Sequence, residues 1–142
     1  MISVPSTVMS TSRTAMRPTF GARYSAATAS GAAAMGHLLL GELAVDEGRA
    51  DEASRELALA EMREPSTELR RRRLDLEGRV ALARKDGKAA REVYDRFLAV
   101  ARAGGRLDDE RRALEGRGEA LELMGNRSEA LDSFARAEEL LD

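Results

Sequence analysis

GEALELMGNRSEALDSFARA, residues 118–137, decides the fold of this chain. Its residues are helix formers on either side of Gly125-Asn126, so it reads as two helices joined by a tight turn, with apolar positions three and four apart. Gly118 is followed twelve residues later by Ala130, then four later by Phe134 and three later by Ala137. The same register occurs twice upstream. Gly78 is followed by Ala90 and Tyr94, and Gly41 by Ala53, Leu57 and Ala60, with Pro65 five residues beyond. Three hairpins in one register are the mark of a repeat.

A glycine inside a helix costs about 1 kcal/mol relative to alanine, so three at one register position need a reason. Close helix approach supplies it. Ala53, Ala90 and Ala130 are expected to face the glycines, and Leu57, Tyr94 and Phe134 to fill the space one turn on.

From about Gly31 the chain turns to Leu, Ala, Glu and Arg, with breaks near Gly48, Pro65, Asp86-Gly87, Gly104-Gly105 and Gly125-Asn126. These predict six helices in three antiparallel hairpins, an all-α fold over residues 32–142. Asp51, Ser66, Asp86, Asp108, and Asn126 or Ser128 are the expected caps. Residues 1–31 are rich in Ser, Thr and Ala and read as a flexible tail. Free of acids and carrying Arg13, Arg17 and Arg23, this stretch also fits an organelle transit peptide or a start placed too far upstream. The uncharged run from Tyr24 to Gly41 has the length of a membrane span, but Ser25, Thr28, Ser30, Gly31, Gly36 and His37 make it poorly apolar.

Composition narrows the function. The 142 residues are 43% hydrophobic and 34% charged, too apolar for a fully disordered chain and too charged for a membrane protein. Aromatics are 4% with no Trp, so the core must come from small and aliphatic residues in closely packed helices. With no Cys there is no disulfide, thiol nucleophile or thiolate metal site, and the single His37 makes neither a His-rich metal site nor a catalytic pair. Beyond residue 41 the chain holds 20 basic against 25 acidic residues, a net of −5. That balance argues against a nucleic-acid binder.

Gly116 and Gly118 have the spacing of a phosphate loop but stand in a helical pattern with no strand before them. The acids at Asp108, Asp109 and Glu110 and at Glu138 and Glu139 read as caps and solvated faces. No catalytic residue, metal ligand or cofactor site is assigned. The run Arg70 to Arg73 opens a helix against its dipole, and pairing to Glu68, Asp75 or Glu77 is the expected compensation.

The Gly/Ala/bulky register resembles the tetratricopeptide repeat, over about residues 34–142. His37, Leu74 and Leu114, four before each glycine, match that pattern's large apolar place, His37 imperfectly. Leu40 matches the place just before the glycine, whereas Glu77 and Arg117 do not. Phe97 stands where the family has a small residue, and only the first hairpin has the closing Pro. The repeats span 37 and 40 residues where the family's usual repeat has about 34, which resembles the longer-helix variety of kinesin light chains and bacterial signalling regulators. The additional residues are expected between hairpins.

The resemblance implies a short solenoid of about three repeats whose first helices line a concave groove for a partner protein or peptide. The matching places are Leu38, Glu42 and Val45, then Arg72, Asp75, Arg79 and Leu82, then Arg112, Glu115, Glu119 and Glu122. The Lys/Asn constellation with which some members hold a C-terminal carboxylate is missing, which argues against a chaperone-tail receptor. Arg72 and Arg79, seven apart on one face, suit an acidic or extended segment. The alternative is a structural role as a homo-oligomer or as the repeat part of a larger signalling assembly. The Ala, Arg, Gly and Glu bias suggests a GC-rich bacterial genome and the cytoplasm, with no membrane partner.

Overall fold

The computed structural model describes residues 31–61 and 65–141, so the expectation of a tail or targeting segment before Gly31 lies outside the described residues. Six α-helices and no strand occur among them. They are α1 (Gly31–Asp46), α2 (Ala50–Leu59), α3 (Thr67–Ala83), α4 (Gly87–Ala103), α5 (Leu107–Leu123) and α6 (Arg127–Glu139).

Four of the five connections are one turn built four times. After α1, α3, α4 and α5 the middle loop residue takes a positive φ, at Gly48 (79°), Lys85 (61°), Gly105 (65°) and Gly125 (83°). The next residue's amide then reaches back across the helix end, as from Asp86 to the Ala81 carbonyl at 2.9 Å and from Asn126 to the Leu121 carbonyl at 2.9 Å. This is the Schellman stop, which satisfies the last free carbonyls of a helix. Lys85 holds the left-handed conformation without glycine's freedom.

The residues expected between hairpins are found at one junction and not at the other. Between the first two hairpins, residues 60–66 separate the 10-residue α2 from α3. By contrast, α4 and α5 are joined by the same three-residue turn, so the additional length of the second repeat goes into helices, with α3, α4 and α5 each running 17 residues.

The caps correct the sequence reading in part. Ser66 Oγ accepts from the Leu69 amide at 3.2 Å and an Asp86 carboxylate oxygen from the Ala89 amide at 3.1 Å. Asp51 and Asp108 instead lie inside the first turns of α2 and α5, where they face the helix dipole, and Asn126 caps α6 with no side-chain bond.

Each helix packs on the next, and in addition α1 packs on α3 and α3 on α5; no extensive contact joins α1 or α2 to α5 or α6. The core has two parts. Leu38, Ala44, Ala53, Ala60, Leu69, Leu76 and Val80 form an aliphatic one, with Leu57 packed against it. The second is built around Tyr94 and Phe97 of α4, with Leu74, Ala90, Ala113, Leu114, Ala120 and Ala137. Leu38 therefore does not line the groove expected of it. Four residues of helix turn it about 40° away from Glu42, enough to bury it to 1% exposure beneath α3.

At Gly78 and Gly118 the expected bulky partner meets the glycine more closely than the alanine does, but at Gly41 the close neighbour is Leu76 of α3 in place of the expected Leu57, which packs elsewhere on the aliphatic core. A methyl group at Gly78 would stand 2.5 Å from Tyr94 Cζ, one at Gly118 2.7 Å from Phe134 Cε1, and one at Gly41 2.7 Å from Leu76 Cδ2 and 3.5 Å from the Ala53 carbonyl oxygen. Gly116 completes the slot. Its methyl would lie 2.3 Å from Tyr94 Cζ, so the Tyr94 ring sits between a glycine of α3 and a glycine of α5.

Gly78→Ala gains about 1 kcal/mol of helix propensity but forces the ring out of its slot, at a cost of about 1–3 kcal/mol. We expect its thermal midpoint to fall by several degrees, whereas Gly36→Ala, with nothing within 4 Å of the added methyl, should raise it. Equal shifts in calorimetry would mean that the slot is not tight.

Candidate functional site

The face shared by α1, α3 and α5 carries a network of ion pairs that joins the three helices. On α3, Arg72, Asp75 and Arg79 are three and four residues apart, and on α5 Arg112, Glu115, Glu119 and Glu122 follow the same steps, so each set lies along one side of its helix. Glu42 and Asp46 of α1 do likewise.

Ion pairs stitch these helices together. Arg72 grips Glu42 with both nitrogens of its fork, at 3.2 and 3.4 Å, and Arg79 pairs with Asp46. Arg112 reaches Asp75 at 2.9 Å and Arg71 reaches Asp109 at 2.5 Å. Arg73 donates to the Leu57 carbonyl at 2.9 Å, closing the end of α2. The arginine run thus serves three neighbouring helices, and the pairing to Glu68, Asp75 or Glu77 expected from the sequence is not formed. On the far side of α1, His37 Nδ1 lies 2.8 Å from Glu56 Oε1 of α2, which accounts for a polar residue at an apolar place.

Two clefts open between the helices. One, of about 360 Å³, runs from Glu42 and Arg72 to Asp109 over the buried ring of Phe97. The other, of about 330 Å³, lies between α3 and α5, lined by Asp75, Arg79, Tyr94, Arg112, Glu115, Gly116 and Glu119. Asp75, Arg79 and Arg112 line both.

Asp75 is the anomaly of this face. It is 6% exposed, its Oδ2 is held by Arg112, and its Oδ1 finds no hydrogen-bond partner among the described residues. Burial raises its pKa above the usual carboxylate value, against the pull of Arg112 and Arg79. Burial and then the like charges of Glu115 and Glu122 also raise Glu119. The Tyr94 hydroxyl is pushed up as well, first by burial and then by Asp75 and Glu119.

Of the groove residues assigned through the repeat, Glu42, Arg72, Asp75, Arg79, Arg112, Glu115 and Glu119 line the two clefts. Glu122 is exposed one turn beyond, Val45 and Leu82 pack partly against the core, and Leu38 is buried in it. The sequence reading missed Asp46, Asp109 and Gly116. A signal for the pairing was present, since Arg72 and Arg112 both stand six residues before a hairpin glycine and both reach an acid of the preceding first helix.

Among the described residues no group of three metal-ligating side chains converges, and no helix is long and apolar enough to cross a membrane. Compared with protein-family models, with curated proteins and with solved structures, the chain matches none of them.

A carboxylate whose pKa is raised by folding binds its proton more readily in the native state, so its charge costs stability at neutral pH and that cost fades as the pH falls through the folded pKa. Asp75→Asn should therefore be as stable as the wild type at pH 7 or more so, by on the order of 1 kcal/mol, and should lose that advantage as the pH approaches 4. Urea unfolding of both proteins at pH 7 and pH 4.5 reads this directly. An advantage that grows in acid would mean that Asp75 is a stabilising anion.

Proposed function

We propose that the chain is a non-catalytic binding module of the tetratricopeptide kind, three hairpins stacked as a short solenoid that docks an extended segment of a partner protein across the α1/α3/α5 face. The observation that carries this reading is the succession of contacts α1 to α3 to α5, skipping the second helix of each hairpin. It sets three first helices side by side and leaves two adjoining clefts open across them. Such a stack is what hairpins with one apolar stripe each form when they bury it against the next. The clefts are strongly polar and suit a peptide's side chains and backbone better than an apolar small molecule. The arginines of this face are spent on neighbouring carboxylates, which favours a protein partner over a phosphate backbone.

Self-assembly is the second reading, favoured by a different feature. Leu39, Leu40 and Leu43 of α1 are about half exposed, and Leu131 and Leu141 more so. Leucines in such number on the surface invite a covering chain.

A photo-cross-linking residue placed at position 122 or 115 of the inner face, beside one at 43 and one at 131, separates the two. In the native host, inner-face positions should yield adducts with one defined peptide segment of another protein, identified by mass spectrometry. Adducts only with a second copy of this chain, from positions 43 and 131, would replace docking by assembly.

A further inference from the structure

The charge left over on the inner face has one sign. Arg72, Arg79 and Arg112 are each engaged by Glu42, Asp46 and Asp75, so the acidic segment suggested by two arginines in sequence would have to break existing pairs. Glu119 and Glu122 stand three residues apart along α5 with no ion pair among the described residues, whereas Glu115 holds Arg111 of its own helix at 3.1 Å. At the base of the same cleft Asp75 is more than nine-tenths buried and keeps one carboxylate oxygen without a partner. A buried oxygen of this kind costs about 1–3 kcal/mol while it is unsatisfied, and a donor entering the cleft would recover it.

Resting on the docking reading above, we propose that the cleft between α3 and α5 selects a basic partner segment, receiving a lysine ammonium or an arginine guanidinium between Asp75 and Glu119. Both cations carry only donors, which the free Asp75 oxygen and Glu119 lack, since Arg79 and Arg112 of the same cleft are engaged by Asp46 and by the other oxygen of Asp75. Asp75 supplies the unpaired oxygen at depth, and Glu119 and Glu122 extend the acidic surface along α5, where a second basic side chain four residues or one extended step away would lie. The Tyr94 ring, 2% exposed, forms part of the lining of this cleft. Entry of a cation also relieves the repulsion of Glu119 by Glu115 and Glu122.

The test uses the whole chain and two fluorescein-labelled twelve-residue Gly/Ser peptides, one bearing four residues of alternating Lys and Arg and the other four Glu, followed by fluorescence anisotropy. The basic peptide should bind and the acidic one should not. Glu119→Gln/Glu122→Gln, which alters only exposed side chains, should weaken the basic peptide at least tenfold, as should Asp75→Asn. Glu138→Gln/Glu139→Gln on α6, removing the same charge elsewhere, should weaken it less than twofold. Three results would overturn the proposal: the acidic peptide binding as well as the basic one, the basic peptide failing to bind, or the α6 control losing as much as the α5 variant. Should Asp75→Asn fail to fold, the α5 pair and its control decide alone. A segment cross-linked to position 122 that contains no Lys or Arg sinks this inference and leaves docking intact, whereas the lack of any such segment sinks both.

Discussion

The ring of Tyr94 lies between two glycines, and the disposition of three helices follows from it. Gly78 on one side and Gly116 on the other leave no room for even a methyl group, so the α4 ring fixes how closely α3 and α5 approach. A tight aromatic contact of this kind buries a large apolar area without a void, and packed interiors transmit such constraints because they do not compress. Phe134 against Gly118 repeats the arrangement within the last hairpin, and at Gly41 the place is taken by Leu76 from α3 of the next hairpin. Among the described residues the large rings, Tyr94, Phe97 and Phe134, thus stand where helices meet.

The inner face is a product of that spacing. With α1, α3 and α5 side by side, arginines of one helix come within reach of carboxylates of the next, and the pairs Arg72 with Glu42 and Arg112 with Asp75 bridge successive hairpins. Partly exposed pairs of this sort contribute little stability each, roughly 0–1 kcal/mol, but they fix register and decide which charges remain. Toward the C-terminal end of α5, beyond Glu115, the pairing on this face gives out, and the face ends in the carboxylates Glu119 and Glu122. Helix packing therefore determines the local sign of the surface, which the net charge of the chain does not reveal.

The all-helical class, six helices and nearly all their boundaries were legible in the sequence because they depend on local signals: apolar spacing, glycine turns and the Ser66 and Asp86 caps. The glycine register also pointed to close approach. What was not legible depended on rotation and on distant partners. Leu38 and Glu42 share a face in a helical wheel, yet a small angular offset puts one in the core and the other in a cleft. Gly116 has no counterpart in the repeat register, and only the folded position of Tyr94, 22 residues earlier, gives it a purpose. The four arginines at 70–73 looked like a local problem with local remedies, and their partners proved to lie on α1, α2 and α5.

Native-state hydrogen exchange on the wild type and Tyr94→Leu tests the role of that ring most directly. If the slot holds the molecule together, amides in the middles of α3 and α5 lose protection together and by similar factors when the ring is removed, while those of α1 change little. Loss confined to α4, with α3 and α5 protected as before, would contradict the account.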